Sequence, residues 1–372
     1  MNLGNKLCLI LTAVALTLSS TKKMIKSKFM KNRLLTLCFS AICFCAICFC
    51  AIAQQQNSIR PGEVWPDADG NHIQAHGGGI IKLGNLYYWY GEERRPGLDT
   101  NFRYVSCYSS KDLMNWKFNG DAMVLSKPDS TLANNRWVLE RPKVFYNAKT
   151  KQYVMYMHID GAIKGVSKSP SAYDFAGVGV AVSDKATGPF KLVKTFRPLG
   201  KESRDIGQFI DDDGSAYLIF ECRPVKGFYI AQLSDDFLSV EKEVAFIHLP
   251  LEGGAVVHYK GLYYAVGSKL TGWSPNPNKV ATATSLAGPW TEFVDMAPPE
   301  TNTYNSQSTM FIKVVGSKDT TVIYMGDRWK PSALHDSRYI WMPVEIGAGK
   351  LWLPEPKPWS INVKTGKWKK VE

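Results

Sequence analysis

The sequence predicts an all-β protein, a five-bladed β-propeller behind a removable leader. Three observations carry that reading. Beyond residue 60 no window holds a helical period of apolar residues. An apolar strand, a tight turn and an aromatic-rich strand recur five times. A further strand–turn–strand element follows most of those copies.

The leader comes first in the chain. Lys31-Asn-Arg33 is a short basic region, an apolar run follows from Leu34 to Ala53, and Ala51-Ile-Ala53 gives the small-x-small pattern of a cleavage site. Residues 1–53 therefore read as a secretory signal, cut after Ala53, with Met30 as a candidate true start because residues 7–19 form a separate apolar stretch. An uncleaved anchor is the alternative, since about 20 apolar residues span a bilayer. Cleavage implies export to the periplasm or the exterior, with no stable membrane span left. Cysteines 43, 45, 48 and 50 alternate with Phe, Ala and Ile, which suits an apolar signal region and offers a metal no polar support.

The leader also accounts for most of the unusual composition. The chain has 372 residues, 45 Lys+Arg, 33 Asp+Glu and eight Cys. Seven of the basic groups and six of the cysteines fall within residues 1–53, leaving 38 − 33 = +5 and only Cys107 and Cys222. A nucleic-acid partner and a disulfide-stapled scaffold are thereby excluded. Residues 54–78 read as a lead-in and 79–372 as one propeller domain.

The repeat runs through Gly79-Ile-Ile-Lys-Leu-Gly-Asn-Leu-Tyr-Tyr-Trp-Tyr, Lys143-Val-Phe-Tyr, Gln208-Phe-Ile, Ala255-Val-Val-His-Tyr and Met310-Phe-Ile-Lys-Val-Val, each followed by a turn and a second strand. Val105-Ser-Cys-Tyr, Val180-Ala-Val-Ser, Ile230-Ala-Gln-Leu and Val280-Ala-Thr-Ala open the second elements. Five four-stranded units make five blades, with chemistry expected on the loops at one end.

Several chemistries can be set aside. His76-Gly-Gly-Gly has no Gly-x-Ser-x-Gly partner, Asp211-Asp-Asp-Gly lacks the spaced ligands of a calcium loop, and no zinc or phosphate-loop motif occurs. His76 and His258 are too few and too far apart to argue a metal, and no cofactor is implied. What remains is a set of polar groups at equivalent repeat positions: Glu92 ending the first aromatic strand, Glu140, Asp205 and Glu252 just before the inner strands of repeats two to four, and Gln307 in the fifth. Inner strands line a propeller axis, so these side chains converge on one mouth. Carboxyls crowded in a pocket raise one another's pKa, which suits a general acid. With Tyr88, Tyr156, Tyr173, Trp273 and Trp329 as possible sugar platforms, the pattern points to glycoside hydrolysis.

Together His76-Gly-Gly-Gly-Ile, Tyr-Tyr-Trp-Tyr-Gly-Glu92, Glu140-Arg-Pro-Lys-Val, Ser203-Arg-Asp, Leu-Thr-Gly-Trp273, Asn305-Ser-Gln-Ser-Thr and Met325-Gly-Asp-Arg-Trp329 resemble glycoside hydrolase family 43, most of all its exo-β-1,3-galactanases. The resemblance runs in order from about residue 70 to the end. It implies a five-bladed propeller, an inverting mechanism and removal of galactose from the β-1,3-galactan backbone of arabinogalactan. It makes Glu252 the general acid, Asp205 its orienting partner and Gln307 the group that handles the water, since the usual base aspartate is absent. It makes Glu92, Glu140, Tyr173, Thr271 and Trp273 the residues nearest the sugar. Gly253-Gly254 replaces an Ala-Pro common after the acid, which implies a looser loop. The alternatives are a β-xylosidase or α-L-arabinofuranosidase on the same scaffold, or a propeller that binds carbohydrate without cutting it.

Overall fold

The computed structural model describes residues 55–133 and 136–372. The expected signal peptide, its cleavage after Ala53 and the Met30 start lie outside the described residues. Those residues build a five-bladed β-propeller, in the chain order that the repeat predicts. Blade one is β1 (His76–Leu83), β2 (Leu86–Glu92), β3 (Arg103–Ser110) and β4 (Lys117–Leu125). Blade two is β5 (Val138–Asn147), β6 (Gln152–Asp160), β7 (Gly177–Ser183) and β8 (Lys191–Phe196). Blade three is β9 (Ile206–Ile210), β10 (Ala216–Cys222), β11 (Gly227–Leu233) and β12 (Val240–Ile247). Blade four is β13 (Leu251–Tyr259), β14 (Leu262–Lys269), β15 (Lys279–Ala283) and the short β16 (Val294–Asp295). Each is an antiparallel meander.

Blade five departs from the expected four strands. It holds β17 (Gln307–Val315), β18 (Thr320–Arg328) and β19 (Arg338–Pro343). The lead-in covers its outer side: Gly62 N donates to Tyr339 O, and Ile59 pairs with Trp359 at the start of a C-terminal hairpin. The lead-in and the C-terminal hairpin thus fasten the ring at its last blade, and a sheet that would expose an edge is covered instead.

The aromatics counted in the sequence mostly fill the seams. Trp89 packs 4.6 Å from Trp341, 5.3 Å from Trp116 and 4.7 Å from Tyr339, all buried between blades one and five. Inner strands are buried on both faces, so they carry small residues where neighbours touch. A Cβ on Gly207 would stand 2.1 Å from the carbonyl oxygen of Gly254 on the next inner strand. The axis is filled by Lys143, wholly buried, whose Nζ donates to the carbonyls of Gly77 and Gly78 and to Thr309 Oγ1. Gln208 from blade three reaches Val144 O across the same axis.

One local feature turns this scaffold into a site. The inner strands of blades one, two, four and five each lose register at their first residues, between His76 and Gly79, Glu140 and Lys143, Glu252 and Ala255, and Ser308 and Met310. An irregularity of this kind re-aims a side chain without ending the pairing. Among the described residues no helix is long and apolar enough to cross a membrane.

Candidate active site

The bulges aim Glu140, Glu252 and Gln307 into one pocket of about 230 Å³ at the mouth of the propeller. Glu92, Arg141, Tyr173, Asp205, Arg223, Trp273 and Trp329 complete its wall. Seven of the eight residues singled out from the sequence therefore meet there. The eighth, Thr271, stands just behind the rim, where its hydroxyl accepts from Asn276 Nδ2 at 2.7 Å and supports the turn that carries Trp273. Of the suggested platforms, Tyr173, Trp273 and Trp329 line the pocket. Tyr156 does not: it is fully buried between blades two and three, its hydroxyl donating to Phe237 O. Tyr88 packs against the core between blades one and two.

In blades one, two and four the residue that follows the first inner-strand position at the bulge needs a left-handed backbone. Gly77, Arg141 and Gly253 occupy equivalent positions with φ of 58°, 49° and 63°. Gly253 corrects the expectation of a loose loop. Its N–H donates to Asp205 Oδ2 at 3.1 Å, its carbonyl accepts from Ser308 Oγ at 2.7 Å, and a Cβ there would come 2.7 Å from Ser308 O. Glycine is what the tight packing requires, and Glu252 is held firmly.

Arg141, absent from the sequence-derived site, organises the floor. Its backbone N–H donates to Glu92 Oε1 at 2.9 Å, its Nε lies 2.8 Å from Asp205 Oδ2, and its Nη2 donates to Gln307 Oε1. Arg94 pairs with Glu92, and Arg223 lies 2.9 Å from Glu221 and 3.6 Å from Glu252 Oε2. His158 stands behind Glu140, with Nδ1 3.2 Å from Glu140 Oε2. The one sequence signal for any of these was the Glu140-Arg-Pro motif itself.

Burial, reinforced by the charge of Asp205, pushes the Glu252 carboxyl up to about 8, against the opposing pull of Arg141. A carboxyl pushed up in this way holds its proton further toward neutral pH, the state a general acid needs. Burial likewise raises Glu92, with Arg94 working the other way. Gln307 Nε2 donates to Glu252 Oε1 at 3.0 Å and lies 3.0 Å from Ser268 Oγ. Its Oε1 accepts from Arg141 and from Trp329 Nε1 at 2.9 Å. Arginine and indole N–H can only donate, so the amide's orientation is forced. With Oε1 of Glu252 taken as acceptor, a proton on this carboxyl would sit on Oε2, beside Arg223. The expectation that Gln307 handles the water meets a different geometry here: the amide is fully engaged, and its visible work is on Glu252.

At the opposite end of the axis, Asp211, Asp212 and His258 converge. Lys313 Nζ already pairs with Asp212 and donates to His258 O, so a cation of the protein's own sits in that cluster.

The sequence profile of glycosyl hydrolases family 43 matches residues 78–329. The exo-β-1,3-galactanase of Phanerochaete chrysosporium, solved with β-1,3-galactotriose, is 39% identical over 85% of this chain and 71% of its own, with a TM-score of 0.76. An exo-β-1,3-galactanase from Clostridium thermocellum is 34% identical over 85% and 69%, with a TM-score of 0.74. A putative exo-β-1,3-galactanase from Bifidobacterium bifidum is 37% identical over 80% and 97%, with a TM-score of 0.70. No curated protein matches.

Proposed function

The chain belongs to glycosyl hydrolases family 43, and from that membership we propose an exported, exo-acting β-1,3-galactosidase that releases galactose from β-1,3-galactan backbones of arabinogalactan with inversion. The observation that carries the reading is Glu252, a carboxylic acid kept protonated in a pocket with two further carboxylates for the sugar. A volume of about 230 Å³ lies below the roughly 300–1,000 Å³ of sites for drug-sized ligands. It suits one sugar ring entering by its end, hence exo action. The similarity to β-1,3-galactanases supports galactose as that sugar.

In this reading Glu252 Oε2 protonates the glycosidic oxygen as the bond breaks. Gln307 and Arg141 hold the acid in place, and Asp205 keeps it protonated. Glu92 and Glu140, each with a cation behind it, accept hydrogen bonds from the sugar's hydroxyls. Trp273 and Trp329, 5.3 Å apart and edge to face, offer apolar faces at the rim, where Trp273 is 45% exposed. Inversion asks for a water on the other face of the ring, with its activating group about 6.5–9.5 Å from the acid. Gln307 touches Glu252 directly, so for it to serve that water the sugar must first part the two.

Digestion of debranched arabinogalactan, followed by NMR of the first-formed product, tests linkage, sugar and stereochemistry together. α-Galactose is the expected first product. Release of xylose or arabinose alone, from xylan or arabinan, replaces the substrate assignment. Binding without any release at micromolar protein over hours overturns catalysis. Export is checked by the N-terminus of protein recovered outside the cytoplasm, expected at Gln54.

A further inference from the structure

Behind Glu140 lies a buried charged chain that the proposed chemistry does not use. His158 is buried at the end of β6, with Nδ1 3.2 Å from Glu140 Oε2 and Nε2 3.1 Å from Asp160 Oδ2. A neutral imidazole carries one N–H and would turn a lone pair toward one of those carboxylates. Nδ1 meets Glu140 as a charge contact without hydrogen-bond alignment, Nε2 bonds Asp160, and two carboxylates facing the two nitrogens call for the doubly protonated ring. Burial opposes that charge, yet Asp160 and Glu140 hold the ring up to about 10.

Asp160 has a second task. Its Oδ1 accepts from Gly161 N and Ala176 N, both at 2.8 Å. These amides are the two ends of the loop between β6 and β7, and that loop carries Tyr173 to the pocket wall. The loop is gripped at its tip as well: Arg204 Nη2 donates to Tyr173 O, and its Nε lies 3.8 Å from Asp160 Oδ2. The Tyr173 hydroxyl faces Glu140 Oε1 at 3.4 Å, and its ring lies 6.3 Å from that of His158. Glu140, His158, Asp160 and the loop form one closed circuit around one side of the sugar pocket.

We propose that His158 is a positioning residue, a cationic pin that ties the pocket carboxylate Glu140 to Asp160 and so to both ends of the Tyr173 loop. The pin fixes where Glu140 and Tyr173 meet the sugar. Direct coordination of the sugar is not its role, because the ring is buried behind Glu140. This rests on the functional reading above only for the identity of the sugar.

The test uses His158→Ala and Asp160→Asn in the full mature protein. A misplacement of about 1 Å at a positioned group costs about 10²-fold in rate. Both variants should lose about that much in kcat/KM on β-1,3-galactobiose, with KM raised as well as kcat lowered. Added imidazole should restore most of the loss in His158→Ala at pH 6, where it is cationic, and pyrazole, of the same shape but neutral, should not. Equal rescue by both, or a kcat/KM within twofold of wild type, overturns the proposal, since space-filling alone would then suffice. Hydrogen exchange gives an arm that needs no substrate. In His158→Ala the amides of Gly161 and Ala176 should exchange at least tenfold faster, and unchanged exchange there also overturns it. Wild-type protein that leaves β-1,3-galactobiose intact sinks the substrate assignment, and the exchange arm then decides the pin by itself.

Discussion

Replacing Asp205 by Asn should move the alkaline limb of the pH–rate profile toward acid, by an amount that simple electrostatics sets. Asp205 accepts from the N–H of Gly253, next in the chain to Glu252, and its charge is the second cause, after burial, holding Glu252 up to about 8. At an effective dielectric of about 20 and a separation on the order of 6 Å, two unit charges repel by roughly 332/(20 × 6), about 3 kcal/mol. That corresponds to about two pH units. Arg141, 2.8 Å from Asp205, already offsets part of the repulsion, so about one unit is expected. The sign follows from the charge: removing an anion makes Glu252 easier to ionise. The freed Arg141 then pulls in the same direction. Initial rates of galactose release from β-1,3-galactobiose between pH 4 and 10 should show kcat/KM failing near pH 8 in wild type and about one unit lower in Asp205→Asn. A limb that stays put while the rate drops refutes the electrostatic account and leaves Asp205 as a support for Gly253. A limb that moves toward alkali refutes the sign.

Glu252→Gln should cut kcat/KM on β-1,3-galactobiose by about 10²–10⁴-fold, the usual worth of a general acid, and far less on an aryl galactoside whose leaving group needs no proton. Gly253→Ala meets both a left-handed backbone and Ser308 O, so a loss of about 1–3 kcal/mol is expected, seen as a lower Tm by calorimetry. Gln307→Glu should slow the enzyme at least tenfold at pH 6, because a carboxylate cannot donate to Glu252; a faster variant would show that a missing base limits the natural chain. Thermal stability should fall from pH 6 to pH 8 and flatten above it, because Lys143, pushed by burial down to about 7, works in the opposite direction from there upward. Glu93, raised by burial to about 7, Glu252 at about 8 and His158 at about 10 all have folded values above their ordinary ones. Their contributions are complete below those ordinary values and are lost as pH climbs through the folded ones. A Tm that rises over that interval would contradict the three assignments together.

The repeat made the carboxylates legible, and the cations stayed hidden for a physical reason. Glu140, Asp205, Glu252 and Gln307 are placed by the backbone at the start of an inner strand, so five copies of a local pattern suffice to bring them together. Arg141 works through its length: it starts in blade two and ends on Asp205 of blade three and Gln307 of blade five. Arg94 and Arg223 fold back two residues onto Glu92 and Glu221, contacts that depend on loop geometry no periodicity encodes. The same limit explains Tyr156, whose aromatic type fits a platform but whose strand position turns it into a seam.

The amide at Gln307 follows from this balance of charge. The pocket gathers four carboxyls, Glu92, Glu140, Asp205 and Glu252, and sets Arg94, His158, Arg141 and Arg223 against them. The proposed chemistry needs Glu252 uncharged among them, so what lies beside it matters. At Gln307 two obligate donors, Arg141 and Trp329, face one side, and the acceptor Oε1 of Glu252 faces the other. A side chain there must accept on one side and donate on the other, and of the natural side chains of that length only glutamine does both while neutral at every pH. A carboxylate would satisfy the donors and repel Glu252, raising further a pKa that must stay near working pH for the proton to leave. On the proposed mechanism, the missing acid at the fifth repeat position is thus a condition for the fourth to work as one.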